Sequence, residues 1–368
     1  MKITLFRLRE TSQKAFKCVG PLAAVAAMAL FGASQVRAQA IGYVWNNNPT
    51  TPGTTTPDAG YSYNSSGGAI SITLNSVGNY TVTFAGLGKD ATSNVQVSAY
   101  GPGPDFCVSG GWANETDVTA NVYCYDEAGN LANHSFTLLY QARLYSDPAQ
   151  PYIAYLWAND ATAPSYTPNS NFSYNATTGT NTIVHEGTGG YIVTLPGLDK
   201  IGGTVLATAY GSAARCQVTE WNSGKSTGTV VSVNCSNAAG APADAQFTLV
   251  YSYRETPGFT DGVVGASIWA FNDTRKSPYN VSGRYSVWID GEDMYAQRTG
   301  KGTYAWTITV DYEWTSSTAL VTAIGAPGSY CSVNRWDSTS TTTTVYVDCF
   351  DGAGKPVDAE FTATFQIH

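Results

Sequence analysis

CVSGGWANETDVTANVYCYDEAGNLANHSF, residues 107–136, decides the fold because its landmarks return twice. Trp112 lies five residues after Cys107, and Gly129 and Phe136 lie five and twelve after Cys124. The second copy carries Cys216, Trp221, Cys235, Gly240 and Phe247 at matching offsets. The third carries Cys331, Trp336, Cys349, Gly354 and Phe361. Residues shared by all three copies serve the architecture first, which makes them poor candidates for one specific site.

The likeness extends outward. Each copy opens on an apolar strand ending in Trp: Tyr43-Val44-Trp45, Tyr155-Leu156-Trp157 and Ser267-Ile268-Trp269, with the Trp 112 residues apart both times. A period near 110 residues is too long for a solenoid and suits a self-contained domain. Three modules are therefore expected, at 41–146, 152–255 and 263–368, the third diverged and Trp-rich. Tyr80, Val82 and Phe84 alternate with polar residues, as do Val95, Val97 and Ala99. Period two, abundant Thr, Val and Tyr, and turns of Gly, Asn and Ser predict short antiparallel strands. The expected fold class is all-β: three tandem β-sandwich modules, immunoglobulin-like or jelly-roll-like. Short joints bearing Pro148, Pro151 and Pro257 predict an elongated rod.

Residues 1–40 read as a signal peptide. Lys2, Arg7, Arg9, Lys14 and Lys17 precede an apolar stretch from Cys18 to Ala33, and Ala38-Gln39-Ala40 is a small-x-small cleavage site. Six cysteines then remain of seven, an even number that reads as a disulfide set behind a secretory signal. Cys107–Cys124, Cys216–Cys235 and Cys331–Cys349 are the simplest pairing, each stapling one hairpin. If the third pair sits face to face, Trp336 is expected opposite Thr344. The protein is thus expected to be secreted, extracellular or periplasmic, with no tail for an anchor after the last strand. Of 19 Lys+Arg and 27 Asp+Glu, the first forty residues carry six and one, which leaves 13 against 26. So acidic a chain argues against nucleic acid and anionic lipid as partners. No second apolar span follows, so no membrane insertion is expected.

Several motifs resemble uncharacterised bacterial secreted proteins built from tandem disulfide-containing β-sandwich modules. They are the Gly-x-Tyr-x-Val strand at 78–82, Ala99-Tyr100-Gly101, and the run from Cys124 and Asp126 through Gly129 to Phe136-Thr137. The resemblance implies a fold and no activity. Module three departs from it, with Ile324 where Tyr100 and Tyr210 stand.

Catalytic signals are thin. His134, His185 and His368 sit at unrelated places, and no nucleophile elbow, zinc helix or phosphate loop occurs. No enzyme activity is expected, although a polysaccharide hydrolase needs only two carboxylates. Two positions keep a side-chain oxygen in every copy: Asp126, Asn237 and Asp351, then Asn133, Asp244 and Asp358. These are weak calcium candidates. Turn capping beside Gly129, Gly240 and Gly354 is the simpler reading, so no cofactor is expected.

Binding has better candidates. Tyr304, Trp306, Ile308, Val310, Tyr312 and Trp314 share one face of an extended run, a pattern of a buried face. Trp288 replaces the Asn64 and Asn175 of the other modules at an expected hairpin tip, where an exposed indole suits a sugar ring or a partner. Trp288, Trp314 and Tyr312 are the candidate ligand contacts. The expected function is non-catalytic binding or adhesion, to an extracellular glycan or surface protein, through module three. A self-associating matrix or filament subunit is the alternative.

Overall fold

Thr, Val and Tyr favour the pleated, half-buried surface of a sheet, and they recur through the 27 strands of the described residues. The computed structural model describes residues 40–88, 92–143, 153–258, 263–281, 283–288, 293–310 and 314–368. The expected signal peptide lies outside these except for its last residue, Ala40, which opens the first strand opposite Ala142. Among the described residues no helix is long and apolar enough to cross a membrane.

Module one holds β1 (Ala40–Trp45), β2 (Gly53–Thr55), β3 (Ser62–Asn64), β4 (Ile70–Ser76), β5 (Asn79–Phe84), β6 (Thr92–Ala99), β7 (Phe106–Asn114), β8 (Val118–Tyr125) and β9 (Phe136–Arg143). Module two repeats them as β10 (Ile153–Ala158), β11 (Ser165–Tyr166), β12 (Ser173–Asn175), β13 (Thr182–Gly187), β14 (Gly190–Leu195), β15 (Thr204–Tyr210), β16 (Ala214–Lys225), β17 (Gly228–Asn237) and β18 (Gln246–Ser252). Module three does so as β19 (Val264–Ala270), β20 (Tyr279–Asn280), β21 (Val287–Trp288), β22 (Met294–Gly300), β23 (Thr303–Thr309), β24 (Ser317–Ile324), β25 (Tyr330–Ser338), β26 (Thr342–Phe350) and β27 (Glu360–Ile367).

In module one β3-β1-β9-β6 form an inner sheet and β2-β4-β5-β8-β7 an outer one. Their facing sides enclose Val44, Tyr80, Val82, Phe84, Val97, Val122, Phe136 and Leu138. The fold is an all-β sandwich, as the alternation predicts. The three disulfides form within their hairpins, Cys107–Cys124, Cys216–Cys235 and Cys331–Cys349. The Trp register differs from expectation by one residue. A bulge between Val333 and Arg335 inserts an extra residue, so Trp336 faces Val345 and not Thr344. Equivalent bulges follow Ser109 and Val218.

The modules do not form a rod. Tyr210 bridges Ser109, Ile324 bridges Val218, and Tyr100 bridges Val333, all in parallel. Module two thus joins one, three joins two, and one joins three: a closed ring with approximate threefold symmetry. Two rings of hydroxyls run around its axis. Thr208 of module two accepts the Val97 N–H and donates to the Val97 carbonyl, both at 3.1 Å. Thr322 does the same for Ala207 at 3.0 and 3.1 Å, and Ser98 for Val321 at 3.0 and 3.2 Å. In the second ring Thr248, Thr362 and Thr137 donate to the carbonyls of Val95, Val205 and Ala319.

These hydroxyls solve a problem of sheet edges. β6, β15 and β24 each lie at the edge of their module's inner sheet, so apart from the single bridges at Tyr210 and Ile324 one row of their backbone groups lacks a neighbouring strand. Side chains of the next module supply the partners. Both faces of these strands are consequently buried, although the alternation of Val95, Val97 and Ala99 with polar residues marks a single apolar face. Of the two expected stiff joints, Pro148 and Pro151 lie outside the described residues, and the second is interior too. Glu255 and Thr256 are buried, and the Gly258 N–H donates to Gln141 of module one at 2.8 Å.

At one end of the axis the residues preceding the first cysteines meet. The Arg215 guanidinium lies between the rings of Phe106 and Tyr330, 4.3 and 4.0 Å from their centres. It donates to the carbonyls of Gly352 and Glu127. The hairpin turns close over it so tightly that a Cβ on Gly352 would overlap the Cα of Gly240.

Candidate functional site

The recurring Trp find their roles at the seams between modules. At the seam of modules one and three, Trp45, Tyr61 and Tyr100 gather around Trp336. Tyr61 and Trp336 meet edge to face at 5.5 Å, and the Trp336 indole N–H donates to Ser317 Oγ at 3.0 Å. Burial pushes the Tyr100 hydroxyl above its ordinary pKa, with nearby Tyr61 and Asp337 adding to the effect. Trp157, Phe172, Tyr210 and Trp112 repeat the cluster between modules one and two. Trp269, Tyr285 and Trp221 repeat it between two and three.

Only the seam of modules one and three adds Trp314. There a cleft of about 390 Å³ opens between Gly60 and Tyr61 of module one and Trp314, Thr315, Ser317, Trp336, Asp337 and Ser338 of module three. The bulge in β25 sets the Trp336 ring at this seam, and Trp314 and Thr315 reach the same cleft from just before β24. Trp314 is half-buried, 6.3 Å from Phe365 at a steep angle. Three aromatic side chains thus line one cavity, with hydroxyls and the Asp337 carboxylate beside them. Arg335 pairs with Asp337 at 3.1 Å and covers the Tyr346 ring at 3.8 Å.

The other candidates separate from this cleft. Tyr304, Trp306, Ile308 and Val310 are core residues of module three, and Tyr312 lies outside the described residues. Trp288 is not at a hairpin tip. Its backbone belongs to an edge strand, opposite Ala266, in the register that Asn64 and Asn175 hold opposite Gly42 and Ala154. Its side chain lies outside the described residues. Asn64 itself is structural, donating to the carbonyls of Gly68 and Ala85 at 3.0 Å. Tyr61 and Trp336 escaped the sequence reading because their repetition marked them as scaffold.

The repeated side-chain oxygens shape turns. Asp126 accepts from the Ala128 and Asn130 N–H groups, Asn237 from Ala239 and Ala241, and Asp351 from Ala353 and Lys355. The second set ties the neighbouring hairpin down. Asn133, Asp244 and Asp358 accept from the N–H of Gly78, Gly189 and Gly302 at 2.8, 2.7 and 2.8 Å. Among the described residues no group of three or more His, Cys, Asp or Glu is placed to hold a metal.

The Gly189 N–H, joined by the His185 ring, holds the Asp244 carboxyl below the usual carboxylate range. A depressed folded value means that this contribution to stability is present above the unfolded value, about 3.9, and is lost as pH falls through the folded one. Asp244→Asn is therefore expected to be less stable than the parent near neutrality and to close the gap in acid. Urea midpoints across an acid titration would check this, and a gap independent of pH would contradict it.

Fold and site together define a disulfide-bonded, all-β protein with an aromatic cleft between modules. No protein-family model matches the chain, and no curated protein matches it in sequence.

Proposed function

We propose that this is a secreted, non-catalytic binding protein that holds a carbohydrate in the cleft between its first and third modules. The observation that carries the reading is the convergence of Tyr61, Trp314 and Trp336 on one cavity of about 390 Å³. Its size falls in the range of ligand pockets, and its lining mixes flat apolar faces with a few polar groups. Aromatic faces suit the apolar faces of sugar rings, while Thr315, Ser317, Asp337 and Ser338 offer hydrogen bonds to sugar hydroxyls. Among the described residues lining the cleft, Asp337 is the one carboxylate, and its oxygens can accept from sugar hydroxyls. Three disulfides and the signal-like leader support an oxidising destination.

A glycan array probed with the full chain tests the proposal. Trp314→Ala is expected to lose about 2 kcal/mol, a roughly thirtyfold drop in affinity for the bound glycan, with the thermal midpoint kept. Unchanged affinity in that variant, or no glycan bound by the parent, would overturn it.

A further inference from the structure

Modules one and two fill the space beside their first strand with paired rings. Tyr43 sits directly opposite Tyr63 and Tyr155 opposite Tyr174, with ring centres 5.6 and 5.3 Å apart. The first ring of each pair also spans a seam. Tyr43 hydrogen-bonds to Ser316 of module three, and the Tyr155 hydroxyl donates to the Thr92 carbonyl of module one. Module three has Ser267 opposite Val287 at the same register. Both rings are gone, and in their place the Arg284 backbone of module three closes against Gly202 and Gly203 of module two.

A cavity of about 340 Å³ lies there, between modules two and three. It is lined by Gly203, Thr204, Ser252, Tyr253 and Arg254 of module two and Gly283, Arg284, Ser286 and Val287 of module three. Two arginines therefore line one cavity in a chain with few cations, and among the described residues no carboxylate lines it. Neither guanidinium has an ion pair among the described residues. Ser286 Oγ is buried with no hydrogen-bond partner among the described residues. Arg254 has φ +58°, the left-handed region that residues with a Cβ rarely adopt, and such outliers gather at ligand sites. The backbone behind Arg284 is fixed, because its carbonyl accepts the Gly203 N–H at 2.8 Å and leaves no room for a Cβ on Gly202. At the seam of modules three and one, His368 stacks on Tyr63 at 4.0 Å in the place that Arg254 and Val287 hold here.

We propose that the cavity between modules two and three binds the carboxylate of an acidic sugar, with Arg254 and Arg284 as its anion contacts and Ser286 as a hydroxyl contact. Guanidinium forks match carboxylate oxygens two by two, which a neutral sugar cannot exploit. The site is separate from the aromatic cleft and does not rest on it.

Titration of the full chain with sodium glucuronate, glucose and inorganic phosphate, followed by calorimetry at low ionic strength, tests the assignment. Glucuronate is expected to bind at least about tenfold more tightly than glucose. Arg254→Gln and Arg284→Gln are each expected to weaken it by about tenfold or more, in line with the loss of a charged hydrogen bond. Val287→Tyr restores the ring that the other modules carry, so it is expected to abolish binding while keeping the thermal midpoint. Trp314→Ala is expected to leave glucuronate affinity unchanged. Equal binding of glucuronate and glucose, phosphate binding without glucuronate binding, or full affinity in Val287→Tyr would each overturn the proposal.

Discussion

Thr322→Val is expected to destabilise the whole chain by about 3 kcal/mol, although it changes neither the volume nor the shape of the side chain. The reason lies in the partner strand. The Thr322 hydroxyl accepts the Ala207 N–H and donates to the Ala207 carbonyl, and Ala207 sits on the uncovered side of β15. A methyl in place of the hydroxyl leaves two buried backbone groups without partners. Each such group costs about 1–3 kcal/mol. Thr208→Val exposes Val97 to the same loss, so the two variants should behave alike. Urea unfolding measures both. A shift below about 0.5 kcal/mol in either would show that the hydroxyl ring does not satisfy the edge.

Removing the second disulfide, as Cys216→Ala with Cys235→Ala, is expected to cost about 3 kcal/mol, because the bond closes a loop of 19 residues. Its location makes the result informative. β16 carries Cys216, bridges β24 of module three, and leads from the Arg215 that lies between aromatic rings of modules one and three. Loss of this staple should lower one transition shared by all three modules. A rod of independent domains would instead show one module melting early and two unchanged. Calorimetry that resolves such a split would sink the closed ring as a cooperative unit.

The sequence made the module legible and the ring illegible. Cys, Gly and Phe at fixed offsets fixed the hairpins, and alternating Tyr80, Val82 and Phe84 announced a buried face that β5 has. Ser98, Thr208 and Thr322 gave no such signal. Threonine and serine on the polar side of an alternating strand read as solvent-facing, and their packing against another module leaves the pattern unchanged. The prolines at 148, 151 and 257 suggested rigid spacers by the same local logic. In the cleft, Trp314 stood out because it extended a period-two stripe past the core. Tyr61 and Trp336 come from opposite ends of the sequence, and only ring closure brings them to it. The bulge that turns Trp336 leaves no mark in the residue spacing, since all three copies share it.

Closure also sets an order of events. The contacts that complete the ring join residues far apart in the chain: 182 positions separate Thr137 from Ala319, and 223 separate Ser98 from Val321. Contacts of such span form slowly, because a long loop must be ordered before any reward returns. While the chain emerges from its N-terminal side, β15 waits as a bare edge until Thr322 and Thr362 arrive to cover it. A chain stalled before β24 is then a template for mispairing with its neighbours, and the hazard of aggregation falls on the half-made protein more than on the finished one.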